Sequence, residues 1–301
     1  MATPADAEVF EAHRDLMFAV AYRMLGSIAD AEDAVQDAWL RWSAEPRADV
    51  ASPRAYLSRV IANTSLNRLR SARARREAYI GPWLPEPLLT AAGPDAEERA
   101  ELAESVSVAM LVVLESLTPD ERAVFVLREV FGFSYAEIGA ALGRSDAAVR
   151  QLAHRAREHV QARRPRFDVD WDQQRAVTER FLAAAAGGDL GGLVTVLAPD
   201  VTLLPDGGGK ARAAMRPITG ADKVARFVAA IATRPYMGIE IADMSMADAE
   251  INGTPGRLIM AGSRPVAALT LTVSGDRVTA IQLLSNPDKL TALAAGRTLP
   301  L

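Results

Sequence analysis

The sequence contains no cysteine, which excludes a disulfide, a thiolate metal site and a cysteine nucleophile. Histidine is scarce too, at three in 301 residues. His13, His154 and His159 all precede Pro165, so the rest of the chain lacks the commonest general base. No long uncharged apolar run is present, so no membrane-spanning helix is expected. Met1 to Phe10 also lack the basic-then-apolar pattern of a secretory signal. The expectation is a cytoplasmic chain with no membrane partner, metal or cofactor.

What is present is a hydrophobic half (50% of residues) and enough length for two or three compact units. The formal net charge is −4, but it averages over segments of opposite character. From Arg54 to Arg76 the residues Arg54, Arg59, Arg68, Arg70, Arg73, Arg75 and Arg76 meet no acid. From Arg144 to Arg166, Arg144, Arg150, Arg155, Arg157, Arg163, Arg164 and Arg166 outnumber Asp146 and Glu158. Between them lies an acidic stretch with Glu86, Asp95, Glu97, Glu98, Glu101 and Glu104 against Arg99. Two basic elements separated by an acidic connector suggest two contacts with DNA.

Apolar residues recur at helical spacing from Ala5 to Glu77, as in Phe18, Tyr22 and Leu25, then Val35, Trp39 and Trp42, then Tyr56, Val60 and Ile61. Pro82, Pro85, Pro87 and Pro94 then mark a linker. A second helical stretch follows from about Asp95 to Arg164. Thr118 and Ser134 each stand three residues before a glutamate, Glu121 and Glu137, the spacing of a capping box. After Pro165 the texture changes: a helix from Trp171 to Ala186 ends at Gly187-Gly188, and another spans Ala221 to Ala232. Strand-like runs occupy Val201–Leu204, Gly238–Ile241, Leu258–Ala261, Val266–Val273 and Val278–Leu284. The C-terminal part is therefore α+β behind an all-helical N-terminal part.

Ser134 to Val160 has the form of a helix-turn-helix, whose second helix enters the major groove. At about 3.6 residues per turn, Val149, Leu152, Ala153, Ala156 and Val160 form a buried stripe, and Ala147, Gln151, His154 and Glu158 face the other way. Gln reads adenine, Arg reads guanine or grips phosphate, and Ala meets a thymine methyl. An ordinary αα-hairpin with a solvated basic face has the same pattern. In the earlier basic helix, Tyr56 to Glu77, the groups Asn63, Thr64, Asn67, Arg68 and Arg70 suit partly exposed bases, although a solvated arginine face reads alike. From Asp30, a candidate cap, to Trp42, a helix buries Ala31, Val35, Ala38, Trp39 and Trp42 and turns Asp33, Gln36, Asp37 and Leu40 outward. A leucine among exposed acids fits a docking face, and equally an ordinary surface.

The three elements in this order resemble the extracytoplasmic-function (ECF) sigma factors across about Ala5 to Arg164. The resemblance implies a sigma-2 helical bundle over 5–80, a linker over 81–106 and a sigma-4 helix-turn-helix over 107–165. It places Asp33, Gln36, Asp37, Leu40 and Arg41 against RNA polymerase core. Asn63, Asn67, Arg68 and Arg70 fall to the −10 element, and Arg144, Ser145, Ala147, Arg150, Gln151, His154 and Arg155 to the −35 major groove. The implied partners are promoter DNA and the core polymerase, at its β′ clamp and β flap.

The remainder, 170–296, resembles the SnoaL-like version of the NTF2-like fold, a cone-shaped α+β domain. Its combination with sigma domains is that of the SigJ-like subgroup, which has three associated motifs. They are Trp83-Leu84-Pro85-Glu86-Pro87, Asp206-Gly207-Gly208-Gly209-Lys210 and Asn286-Pro287-Asp288-Lys289-Leu290. The resemblance implies interdomain contacts and regulation in cis, in place of a separate anti-sigma protein. Taken alone, the motifs also read as a stiff linker, a flexible glycine turn and a helix cap. A small ligand in the SnoaL-like pocket is one alternative and isomerase-type catalysis another, with Asp206, Glu240, Asp248 and Glu250 as the available carboxylates. A flexible Asp-Gly-Gly-Gly segment is a poor preorganised base, so no catalytic residue is assigned and the chain is not expected to be an enzyme.

Overall fold

The computed structural model describes residues 4–44, 50, 52–90, 104–163 and 171–299. Most of the acidic connector (Asp95, Glu97, Glu98, Arg99 and Glu101), with Pro94, Arg164, Arg166 and the side chains of Arg73 and Arg75, lies outside the described residues. The chain divides into two compact units. One comprises Met1–Ala78, Leu111–Arg164 and Leu299–Leu301, the other Tyr79–Met110 and Pro165–Thr298.

The first unit is helical: α1 (Pro4–Glu11), α2 (Arg14–Leu25), α3 (Ile28–Ser43), α4 (Pro53–Glu77), the end of α5 (Val108–Glu115), α6 (Pro119–Phe125), α7 (Tyr135–Leu142) and α8 (Asp146–Gln161). A π-helical stretch, Val126–Val130, continues α6. Both capping boxes form, at Thr118–Glu121 and Ser134–Glu137. The cap of α3 is Ser27 rather than Asp30: the extended Ser27 accepts from Asp30 N at 3.3 Å. Asp30 sits in the first turn, where its charge suits the positive helix end. Trp42, 1% exposed, anchors the core and donates its indole N–H to Asp6 O at 2.7 Å. Trp39, expected on the buried side, is only half-buried, with its ring edge-on to Phe10.

The two helical stretches fall in one compact unit. Arg122 of α6 is 1% exposed and donates through Nε and Nη2 to the Arg23 carbonyl of α2 at 3.1 and 2.9 Å. Its remaining nitrogen pairs with Glu115. A buried guanidinium is tolerated when its donors are matched in this way.

The second unit holds α9 (Trp171–Ala186), α10 (Leu190–Val196), β2 (Leu197–Asp206), β3 (Ile218–Thr219), α11 (Ala221–Ala232), β4 (Met244–Ile251), β5 (Thr254–Ala261), β6 (Arg264–Ser274), β7 (Arg277–Leu284), α12 (Thr291–Ala294) and the first residue of β8 (Thr298–Leu299). From the linker it adds β1 (Leu89–Thr90). The strand order is β3-β2-β7-β6-β5-β4-β1-β8, with β2 and β7 parallel. Helices α9 to α11 cover one face, where Phe181, Leu193, Val224 and Val228 pack with Leu203, Leu269, Leu271 and Ile281. Ile251, Ala268, Thr270, Gln282 and Leu284 instead line a small cavity with Leu84, Pro85, Pro87 and Val108. The linker thus takes the second covering layer that a sheet with an apolar face requires.

One expectation changes here. Gly238–Ile241 is not a strand: Tyr236 and Ile239 form an isolated bridge. The strand is Met244–Ile251, which turns through Asn252 (φ 50°) and Gly253 (φ 73°) into β5. The linker drawn at 81–106 falls within Tyr79–Met110, which belong to the second unit.

The helix-turn-helix depends on one close approach. A Cβ on Gly139 of α7 would lie 2.7 Å from the Arg144 carbonyl oxygen, a backbone atom with little room to yield. Gly139→Ala should therefore cost about 1–3 kcal/mol, read as a lower urea midpoint at unchanged slope. An unchanged midpoint would show that the turn is not packed as described.

Candidate nucleic-acid interface and linker cradle

Helix α8 is set by Ser145, whose hydroxyl accepts from Ala148 N at 3.3 Å, after Gly143 closes α7 in the left-handed conformation (φ 64°). The stripe Val149, Leu152, Ala153, Ala156 and Val160 is buried, as its periodicity predicts. Arg144, Ser145, Ala147, Arg150, Gln151, His154 and Arg155 are all exposed. Arg150 lies over the Tyr135 ring at 5.2 Å and His154 stands 3.6 Å from Glu158. The face therefore carries an amide, an imidazole and a methyl among guanidinium groups, the set that reads base edges and holds phosphates.

On α4, Asn67 is exposed, while Asn63 is half-buried and donates to the Arg59 and Ala141 carbonyls at 3.0 and 2.5 Å. Arg68 pairs with Asp37 at 2.6 Å and Asp33 at 3.3 Å. Residues assigned to polymerase and to the −10 element are thus in contact. Gln36, Leu40 and Arg41 are exposed, Leu40 at 58%. Arg70 and Arg144 meet the same carboxylate, that of Asp120. Arg76 pairs with Glu115, and burial lowers its pKa despite that partner.

The three C-terminal motifs converge within the second unit on Asp206, which is fully buried. Its Oδ1 accepts from the Tyr79 hydroxyl at 2.6 Å, and its Oδ2 from Leu84 N and Lys289 Nζ, both at 2.8 Å. Lys289 also donates to the Leu84 carbonyl at 2.6 Å and lies over the Trp83 and Tyr79 rings at 4.2 and 4.7 Å. Asn286 Nδ2 donates to Tyr79 Oη at 2.7 Å. Burial, and then the neighbouring Asp206 carboxylate, push the Tyr79 hydroxyl well above its ordinary pKa. Lys210 and Asp288 form an exposed pair at 2.5 Å. Pro85, Pro87 and Leu290 are buried, Glu86 half-buried and Pro287 exposed.

The expectation that Asp206-Gly207-Gly208-Gly209 is flexible is not met. A Cβ on Gly208 (φ 58°) would lie 2.2 Å from Asn286 Nδ2, and one on Gly209 (φ 70°) 2.9 Å from Ile80 Cδ1. Glycine serves close approach here as well as backbone freedom.

Tyr79, Asn252, Asp120 and Glu115 are site residues that sequence reasoning did not single out. Asn252 bonds the linker on both sides, accepting from Leu88 N at 2.9 Å and donating to the Val106 carbonyl at 3.0 Å. Its Asn-Gly dipeptide is a hairpin signal that would have located it. Among the described residues no cluster of three His, Asp or Glu side chains could hold a metal ion. No helix among them is long and apolar enough to cross a membrane.

Residues 9–75 match the family described as Sigma-70 region 2, and residues 107–160 that described as Sigma-70, region 4. The chain is 43% identical over 293 residues to the ECF RNA polymerase sigma factor SigJ of Mycobacterium tuberculosis, covering 94% of this chain and 92% of that one. It is 33% identical over 288 residues to a probable ECF RNA polymerase sigma factor, SigI, of the same species, covering 95% of each. The crystal structure of the Mycobacterium tuberculosis extracytoplasmic function sigma factor SigJ matches with a TM-score of 0.71 at 36% identity, covering 95% of this chain and 98% of that one.

Removing Lys289 would leave Asp206 as a buried charge without its cation. Lys289→Met should destabilise the second unit by about 3–5 kcal/mol, and adding Asp206→Asn should recover part of the loss. A change under about 1 kcal/mol in chemical unfolding of the full chain would show that the pair does not hold the linker.

Proposed function

The chain belongs to the ECF RNA polymerase sigma factors, and from that premise we propose which of its surfaces meet polymerase and promoter. The α3 face of Asp33, Gln36, Asp37, Leu40 and Arg41 docks on the β′ clamp, and the helix-turn-helix lies towards the β flap. Asn63, Asn67, Arg68 and Arg70 of α4 serve the −10 element. Arg144, Ser145, Ala147, Arg150, Gln151, His154 and Arg155 serve the −35 major groove. The observation that carries this reading is α8 itself, with a fully buried stripe on one side and Ala147, Gln151 and His154 exposed on the other.

The second unit acts in cis through the linker. Residues 79–110, which join α4 to α5, belong to that unit. Its grip through Asp206, Lys289 and Asn252 therefore sets how much free chain connects the −10 helix to the −35 domain, and tether length governs which arrangements two elements can reach. This reading gives Asp206 a structural role, because its two carboxylate oxygens already accept from Tyr79, Leu84 and Lys289. It assigns no ligand to the unit, because the helix-covered face of the sheet is packed with side chains.

Base reading and phosphate contact separate experimentally. Gln151→Ala should relax discrimination at particular −35 positions by about 1–3 kcal/mol, whereas Arg163→Ala should weaken all −35 variants alike. Competition among −35-substituted promoters measures both, and a common factor across all variants for Gln151→Ala would overturn its assignment. At the docking face, Leu40→Glu should lower affinity for core polymerase while leaving the urea midpoint unchanged, since Leu40 is exposed. Unchanged core affinity would remove α3 from the interface.

A further inference from the structure

The run of arginines on α4 meets no acid in its own sequence, so its partners come from elsewhere in the first unit. They come from Asp33 and Asp37 of α3, which pair with Arg68, and from Glu115 and Asp120 at the facing ends of α5 and α6. Glu115, at the end of α5, pairs with Arg76 of α4 and Arg122 of α6. Five residues on, Asp120 accepts from Arg70 through both oxygens at 3.3 Å and from Arg144 through Oδ1 at 2.9 Å. Arg70 precedes the end of the −10 helix, and Arg144 lies in the turn before α8. A single carboxylate, 24% exposed, thus holds one arginine from each of the two elements assigned to DNA.

Next to this clamp, the Asn63 amide is committed to the Ala141 carbonyl at the end of α7. Its Nδ2 donors, shared with the Arg59 carbonyl, are not offered to a base edge while that bond stands. Ser58, Thr64 and Ser65 of α4 have buried hydroxyls without a hydrogen-bond partner. Gln151, His154 and Ala147 of α8 stay exposed in the same arrangement. Of the residues assigned to the −10 element, Asn63 and Arg68 are half-buried and held by partners and Arg70 is held by Asp120, whereas the −35 face is exposed throughout.

We propose that Asp120 is an internal stand-in for promoter phosphate, which holds Arg70 and Arg144 together in a closed first unit and must be displaced when α4 engages the −10 element. Carboxylate and phosphate oxygens compete for the same guanidinium donors. The clamp is partly exposed, so each pair contributes little and the closed form yields to DNA instead of blocking it. It follows that α8 contacts its element first and α4 second. The inference rests on the assignment of α4 to the −10 element.

The absence of native cysteine allows distance labels at exposed Glu8→Cys and Gln161→Cys in the full chain. Asp120→Asn should broaden the label distance towards longer values without DNA. It should also raise affinity for a promoter duplex with an unpaired −10 segment by about two- to tenfold, with Asp120→Glu close to the unsubstituted chain. Higher affinity with an unchanged distance distribution would overturn the proposal, as the effect would then be simple removal of a negative charge. Unchanged affinity would overturn it as well. Arg70→Ala separates this from failure of the underlying assignment. If α4 meets the −10 element but Asp120 is no competitor, Arg70→Ala lowers affinity by the same factor whether Asp120 is intact or carries the Asp120→Asn substitution, which counts against the clamp. If Arg70→Ala changes nothing in either background, the −10 assignment itself fails.

Discussion

A buried carboxylate must be matched by donors or it does not stay charged, and Asp206 imposes that requirement on the whole second unit. Its side chain at the end of β2 has no contact with solvent. The donors come from two places far from it in sequence: the Tyr79 hydroxyl and the Leu84 amide on one side, and the Lys289 ammonium on the other. Satisfying them draws the proline-containing linker onto the sheet. There Leu84 and Leu88 become fully buried, and Asn252 accepts from Leu88 N and donates to the Val106 carbonyl. Glycine at 208 and 209 is what lets Tyr79, Ile80 and Asn286 close over the turn. The motifs at 83–87, 206–210 and 286–290 are in this sense parts of a single hydrogen-bonded cradle.

The first unit solves the opposite problem. Its function calls for arginines and amides free to meet nucleic acid, yet unpaired cations next to an apolar core are costly. The structure meets this with acceptors drawn from its own segments: Asp33 and Asp37 for Arg68, Asp120 for Arg70 and Arg144, Glu115 for Arg76 and Arg122. These pairs are of different strength. Arg122 is buried at the junction, and its loss would open the core, while the Asp120 pairs are partly exposed and exchangeable. The same helices are thus held by a firm contact at Arg122 and by weak ones near the residues proposed to face DNA.

Features governed by local spacing were legible in the sequence. The capping boxes at Thr118 and Ser134, the stripe on α8 and the helices Trp171–Ala186 and Ala221–Ala232 stand where periodicity places them. Features governed by distant partners were not. Asp120 reads as an ordinary acid in a first helical turn, and only the fold brings Arg70 and Arg144 to it. Asp206 reads as part of a flexible glycine run, because nothing in Asp-Gly-Gly-Gly announces a lysine 83 residues away. The helix Leu190–Val196 was hidden by Gly191 and Gly192, poor helix formers that Asp189 offsets by capping Gly192 N at 3.0 Å. Strand Met244–Ile251 was missed because four consecutive residues, Ser245 to Asp248, are exposed and only Ile251 is buried, which blurs the alternation that marks a half-buried strand.

The account holds that one chain carries both a promoter-reading unit and the unit that controls the linker between its two halves. Run-off transcription with purified core polymerase and the full chain, on templates selected for dependence on it, tests this most directly. A run-off product is predicted that requires the chain, the −10 element and the −35 element together, and whose yield changes when Asp206 and Lys289 are replaced jointly by Asn and Met. A product that forms without the chain, or the absence of any product on templates that the chain and core polymerase bind together, would contradict it.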